Sequence, residues 1–240
     1  MSQESKVTRS EIHKRGLFSL CQQLDISIDK IIVAYSGRYF SESDIEKADF
    51  FKGVLHNSLN NAQTLFLEKR CSLSFHKDNR EVVEYGKDLA IGWLAEDAVL
   101  HKLSDFGLKI RSTGSDSHRE YLAKQNIGTN SDYIVTSQNR AIAVELVISW
   151  NNYWIKTNRL DLRDSKFKRL SNKNIESVLI GIEPNSSCFF ITSVEKIKNE
   201  FQWRENPAWG NKGVYTLNSI DKLMKPMTLF KDEYLQNFFR

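Results

Sequence analysis

Long apolar runs are missing from the sequence. Nowhere do about 20 predominantly apolar residues follow one another, so no membrane span is expected. The opening residues, Met1 to Lys6, lack the apolar centre of a secretory signal, and the expected location is the cytoplasm. Cysteine is scarce. Cys21, Cys71 and Cys188 are odd in number and lack metal-ligand spacing, which argues against a disulfide framework or a zinc site. They are expected to be reduced and mostly buried. Only Pro184, Pro207 and Pro226 punctuate the chain, with no internal repeat and no low-complexity linker. A phosphate-binding loop of the G-x-x-x-x-G-K type is absent as well, which excludes an ATP-driven motor. Nor is there a strong imbalance of charge: 34 Lys and Arg against 30 Asp and Glu leave +4. A nonspecific nucleic-acid coat protein is usually more basic. A nucleic-acid partner is compatible with this balance only if the positive charge gathers on one face.

What is present reads as an ordinary globular composition, 40% hydrophobic and 27% charged over 240 residues. That length suits one large domain, or a core with an appended subdomain. Up to about Asn79 the chain reads as mainly helical. Ser41-Glu42-Ser43-Asp44 is a capping signal ahead of Ile45, Phe50, Phe51, Val54, Leu55 and Leu59 at helical spacing. A long helix is expected from Val82 to Leu103, stopping at Gly107 in a left-handed conformation. Strands are then expected at Leu108–Ile110, Asp132–Thr136, Ala141–Ile148, Ser177–Ile182 and Cys188–Thr192, with a further one at Gly213–Leu217. A basic helix is expected from Leu160 to Leu170, and short helices at Val194–Phe201 and Ile220–Met224. One long helix feeding a multi-stranded sheet indicates an α/β or α+β fold.

The hairpin at residues 132–148 carries the chemistry. With Ser137 to Arg140 as its loop, Thr136 pairs with Ala141, Ile134 meets Ala143, and Asp132 lands opposite Glu145. Directly opposed residues hold their Cβ atoms about 4.5–5.5 Å apart, and like charges there destabilise a sheet. A divalent cation offsets that repulsion, and Mg²⁺ favours one or two carboxylates together with phosphate oxygens. Ile142, Val144, Leu146 and Ile148 point to one face, and Ala141, Ala143, Glu145 and Val147 to the other. The alanines leave room beside the carboxylates. A solvated strand face bearing two incidental acids has the same spacing, and a different loop length would break the register. On the preceding helix Leu89, Trp93, Glu96, Leu100 and Leu103 form one stripe with Glu96 at its centre, although Ile91 and Leu94 lie opposite. An acid in that place is costly to bury unless it is paired or liganded; the plainer alternatives are a helix end dipping into solvent, or a partner such as Lys87 or Arg119.

Gly92-Trp-Leu-Ala-Glu96-Asp-Ala-Val-Leu100, with Leu103 and Phe106-Gly107, resembles the first helix of the PD-(D/E)XK nucleases. Ser131-Asp132-Tyr-Ile-Val and Ala143-Val-Glu145-Leu-Val147 resemble their metal-binding hairpin, and the likeness runs from about Val82 to Thr192. The resemblance implies a mixed β-sheet core flanked by helices over residues 81–240, with a C-terminal extension. Residues 1–80 then form a helical region for recognition or dimerisation. It also implies that Asp132, Glu145 and the carbonyl of Leu146 coordinate Mg²⁺, with Glu96 assisting directly or through water. A metal-bound water of lowered pKa would attack the scissile phosphate in line.

The family usually places lysine two residues after the second acid, where this chain has Val147. Three readings stay open. Lys156 or Lys166 reaches the site from the following segment, with Lys156 the first choice because it follows the strand closely. Another polar group substitutes, as glutamate or glutamine does in some restriction endonucleases. Or the site is inactive.

Beyond the hairpin, Asn151, Asn152, Arg159, Arg163, Lys166, Lys168 and Arg169 interleave with Trp150, Tyr153 and Trp154, a mixture suited to phosphates and base edges. A solvated basic helix with its aromatics in the core is the plainer alternative. Arg111, His118, Arg119 and Lys124 are candidates for a second DNA-facing loop. The resulting expectation is a Mg²⁺-dependent endonuclease on double-stranded DNA, most like a type II restriction enzyme. Such enzymes commonly act as homodimers, because two-fold protein symmetry matches a palindromic site. The alternatives are a structure-specific nuclease such as a junction resolvase, a non-catalytic DNA-binding protein that keeps the fold, and an interaction protein unrelated to DNA.

Overall fold

The structure, a computed structural model, describes residues 8–50, 55–71, 81–114, 117–119, 130–137, 140–172 and 174–239. It is a mixed α/β fold whose chain divides into two compact units. The first comprises residues 1–101 and 118–127, and the second residues 102–117 and 128–240. The first unit thus reaches past residue 80 and takes most of the long helix. Among the described residues, no helix is long and apolar enough to cross a membrane.

The first unit is helical: α1 (Arg9–Gln23), α2 (Ile28–Tyr39), α3 (Glu42–Lys47), α4 (Leu55–Lys69) and α5 (Val82–Asp105), the last turn of which belongs to the second unit. Ser41 caps α3, its hydroxyl accepting the Asp44 N–H. The single helix expected from Ile45 onward is interrupted, because Asp49 adopts a positive φ of 57°. Leu17, Leu20, Ile32, Tyr35, Phe66 and Trp93 are among the side chains that fill the core. Phe66 and Trp93 meet edge to face at 4.9 Å. Helix α5 is packed on more than one side, since Ile91, Leu94, Ala95, Ala98 and Val99 are all fully buried. Leu89 and Leu100, by contrast, are only partly buried. The stripe expected through Glu96 is thus buried at Trp93 and Leu103 and only partly covered at Leu89, Glu96 and Leu100. Gly107 stops the segment at φ 77°.

The second unit is built on a six-stranded sheet in the order β1 (Lys109–Ser112), β2 (Tyr133–Ser137), β3 (Arg140–Ile148), β5 (Ser177–Glu183), β6 (Cys188–Ser193) and β9 (Lys225–Pro226). All neighbours are antiparallel except β3 and β5, which run parallel. Between those two lie α6 (Tyr153–Thr157), β4 (Arg159–Arg163) and α7 (Asp164–Ser171). After β6 come α8 (Val194–Ile197), β7 (Gln202–Asn206), β8 (Lys212–Asn218) and, at the end, α9 (Asp232–Phe239). Strands β4, β8 and β7 form a separate antiparallel sheet.

Every residue of β5 and β6 is buried, as their continuous apolar sequences require of central strands. On one side of the main sheet Phe189 packs edge to face against Phe230 and against Tyr234 of α9. On the other side an apolar cluster joins Trp154, Leu162, Phe167, Leu179, Phe190 and Leu217, tying the small sheet and the crossover helices to β5 and β6. The basic helix expected over Leu160 to Leu170 is half strand. Leu160 and Leu162 turn into this cluster while Arg159 and Arg163 alternate with them, a period of two; helical spacing begins only at Asp164.

Two polar groups fix this side of the unit. Glu183, wholly buried at the end of β5, accepts from the Ser149 hydroxyl at 2.7 Å and from the N–H groups of Trp154 and Ile155 at 2.9 and 3.3 Å. It thereby satisfies the otherwise orphaned amides at the start of α6. Asp161 on β4 accepts from Arg204 Nη2 at 2.7 and 2.9 Å, from the Thr216 hydroxyl at 2.6 Å, and from Tyr153 and Asn206 at 3.2 Å each. These partners lie on β7, β8 and α6. The three cysteines are buried and free. Burial pushes the Cys21 thiol up to about 12 and that of Cys188 to about 11.

Two stability tests arise from this packing and pairing. A Cβ on Gly181 would stand 2.0 Å from Cε1 of Phe190, whose ring lies across the glycine. Gly181→Ala is expected to lower stability by about 1–3 kcal/mol, read as a lower denaturation midpoint in urea. Asp161→Ala removes the shared acceptor of four side chains. Breaking a buried ion pair costs about 3–5 kcal/mol. With Arg204 still 30% exposed, the expected loss is smaller, about 2–3 kcal/mol. An unchanged midpoint in either variant would contradict the packing or the pairing described.

Candidate functional site

Strand β3 runs through the middle of the sheet and places Glu145 between β2 and β5, opposite Leu179 and only 5% exposed. The β2–β3 register is the one expected from the hairpin, Thr136 with Ala141 and Ile134 with Ala143, and it continues by one more pair, Ser137 with Arg140. Gln138 and Asn139 lie outside the described residues. Asp132 immediately precedes β2, one step beyond the Tyr133–Val144 pair and thus beside Glu145. Its Oδ2 accepts the N–H of Leu146 at 2.9 Å. That bond ties the Asp132 carboxylate to the backbone of β3 and leaves Oδ1 to face the same space as Glu145.

A lysine fills that space. Lys166 Nζ lies 2.5 Å from Glu145 Oε1 and 3.7 Å from Asp132 Oδ1. The lysine comes from α7, whose Phe167 and Leu170 are buried in the apolar cluster. Insertion of Phe167 fixes the helix, and the preceding residue is delivered to the carboxylates. Val147, two residues beyond Glu145, pairs with Gly181 and packs against the same cluster. Its place belongs to the core, and the ammonium arrives from across the crossover.

Lys156, preferred on sequence grounds, does not occupy this position. It is exposed on α6, and among the described residues no ion pair joins it to either acid. Its proximity in sequence to β3 is offset by the turn at Asn152, φ 51°, which starts α6.

Glu96 belongs to the first unit, where its carboxylate is bound by Arg119 Nη1 at 2.6 Å, while Nη2 holds Asp97 at 2.7 Å. Arg119 is only 4% exposed, with its guanidinium 5.7 Å from the Trp93 ring. Arg70 in turn donates to the carbonyls of His118, Arg119 and Tyr39. Arg119 is therefore a buried counter-charge for α5 and not part of a DNA-facing loop. Lys124 lies outside the described residues.

The remaining basic and amide residues are distributed over three elements. Asn151 is exposed, and Asn152 accepts from the Ser186 hydroxyl at 2.7 Å. Arg159 donates through Nε to the Tyr153 hydroxyl at 2.9 Å. That hydrogen bond, with the nearby charge of Asp161, raises its already high pKa. Arg163 is exposed with its guanidinium 6.0 Å from the Trp209 ring. Lys168 pairs with Asp164 at 2.9 Å, and Arg169 donates to Asn130.

No group of three or more His, Cys, Asp and Glu residues is arranged to hold a metal among the described residues. Asp132 and Glu145 each direct one oxygen at the Lys166 ammonium, at 3.7 and 2.5 Å. Two hard carboxylate oxygens suit Mg²⁺ better than a soft metal.

The sequence contained signals for Lys166 that proximity obscured. Phe167 and Leu170 at helical spacing define the buried side of α7. Asp161 left a fainter trace, a lone acid in a basic strand.

No protein-family model matches the chain, and no curated protein matches it. Among solved structures, a Holliday junction resolvase from the archaeal hyperthermophile Archaeoglobus fulgidus is similar over 56% of this chain and 95% of its own, with 14% identity and a TM-score of 0.36.

Proposed function

We propose that the protein is a metal-dependent endonuclease acting on double-stranded DNA. The observation that carries this reading is the meeting of Asp132, Glu145 and Lys166 at one point on the sheet. Asp132 and Glu145 would hold Mg²⁺, with the Leu146 carbonyl as a further ligand. The ion, when bound, supplies an acidified water and charge neutralisation at the scissile phosphate. The residues of the chain do the rest. The Leu146 N–H holds Asp132 in place. Lys166, on a helix fixed by Phe167, presents an ammonium that can shift from Glu145 to a phosphate oxygen. It stabilises negative charge as that charge develops.

Within nucleases, we favour a site-specific enzyme of the type II restriction kind, working as a homodimer. Modest net charge and substantial structure outside the hairpin support this choice. Lys166 also bears on the reading of the fold as a non-catalytic DNA binder, which rested on Val147. The amine absent from β3 is supplied by α7.

Plasmid DNA incubated with Mg²⁺ is expected to yield discrete fragments, whose ends give the site. A smear, or cleavage confined to branched substrates, would replace the restriction reading by a nonspecific or structure-specific nuclease. Asp132→Asn and Glu145→Gln are expected to abolish cleavage while duplex binding persists. Lys166→Met is expected to slow cleavage by about 10²–10³-fold, the usual effect of losing one group that stabilises developing charge. Lys156→Met is expected to leave the rate unchanged. Full activity in the Glu145→Gln variant would sink the proposal.

A further inference from the structure

The outward face of the small sheet is cationic, and its acid is already engaged. Arg159, Asp161 and Arg163 lie on one face of β4, with Val214 and Thr216 of β8 and Arg204 of β7 on the same face by register. The Asp161 side chain, Val214 and Thr216 are buried, so what this face offers to solvent is its arginines. Asp161 accepts from Tyr153, Arg204, Asn206 and Thr216, so its single charge is spent chiefly on Arg204. Arg159 Nε stands further off, at 3.9 Å, and the three arginines leave the face with a net positive charge. Glu205 alternates to the opposite face of β7, and Asp164 is paired with Lys168.

Arg159 and Arg163 each lie beside an aromatic ring. The Arg159 guanidinium lies 5.7 Å from the Tyr153 ring, its Nε bonded to the phenol, and its side chain remains 38% exposed. The Arg163 guanidinium lies near Trp209. An arginine held on an aromatic surface has less conformational freedom to lose when it meets an anion, and its planar fork matches a phosphate. The two rings are taken up by guanidinium groups and do not form an open row on which unpaired bases stack. The face therefore suits the charged backbone of a duplex better than a single strand. Along the chain, Arg163 ends β4 and Lys166 follows three residues later in α7.

We propose that the outward face of β4, β8 and β7 is the docking face for the sugar–phosphate backbone of duplex DNA. Arg159 and Arg163 bind phosphates; Tyr153 and Asp161 hold Arg159, and the Trp209 ring flanks Arg163. The proposal rests on the nuclease reading in one respect, that the ligand is DNA; it does not require cleavage.

The test uses the full chain without divalent metal and a labelled linear duplex, with binding followed by anisotropy across a salt series. Arg159→Ala with Arg163→Ala is expected to weaken binding by about tenfold or more at low salt. The slope of log K against log salt should become shallower by about two, one for each phosphate no longer neutralised. Arg163→Ala alone, at an exposed position where folding is not at risk, should lower the slope by about one unit. Wild-type affinity and slope in the arginine variants would overturn the docking face while leaving the nuclease reading intact. Preference of the wild-type protein for single-stranded over duplex DNA would also overturn it. Absence of any salt-dependent DNA binding by the wild-type protein would remove both.

Discussion

Parallel pairing of β3 with β5 is the constraint from which most of the second unit follows. Two antiparallel strands can be joined by a tight turn, but parallel neighbours need a crossover of a dozen or more residues. Here the chain from Ser149 to Glu176 makes that crossing and contains α6, β4 and α7. Since this segment must return over one face of the sheet, it covers the face on which Glu145 stands. Glu183 fastens its start through the amides of α6, and Phe167 and Leu170 fasten its end. Lys166 reaches the carboxylates because the crossover has nowhere else to put the turn that carries it.

The acid pair and the lysine depend on each other electrostatically. Glu145 is nearly buried, and a buried carboxylate without a counter-charge is costly. Asp132 increases that cost, being of like charge and one strand away. An ammonium at 2.5 Å offsets both. The same arrangement holds one oxygen of each carboxylate around a single ammonium. In the first unit a comparable problem has a different solution. Glu96 and Asp97 share one buried arginine, and nothing about that pairing requires a ligand.

Much of the hairpin was legible in the sequence, because a strand's period of two leaves little freedom once the loop length is chosen. Alternating Ile142, Val144, Leu146 and Ile148 identified the packed face, and the register to Glu145 followed. The long helix α5 and its glycine stop were legible for the same kind of reason. What was not legible depends on contacts between elements distant in sequence. Leu160-Asp-Leu-Arg163 lies beside a helix former and reads as helical until β8 is there to pair with it. Lys156 and Lys166 differ in sequence only by ten positions, and it is packing of α7 on the sheet that separates them. For Glu96 the sequence named two possible partners, Lys87 and Arg119, and only the fold selects Arg119, twenty-three residues along the chain.

The delivery of Lys166 by a helix, instead of by β3 itself, has a consequence for how the site can be moved or copied. When acid and lysine share one strand, a short hairpin is a self-contained cassette. In this protein it is not. A hairpin of residues 132–148 grafted elsewhere would bring two repelling carboxylates without the charge that reconciles them. Even the crossover from β2 to the end of β5 would not suffice, because Phe167, which fixes α7, packs on Phe201 and Tyr215 further along the chain.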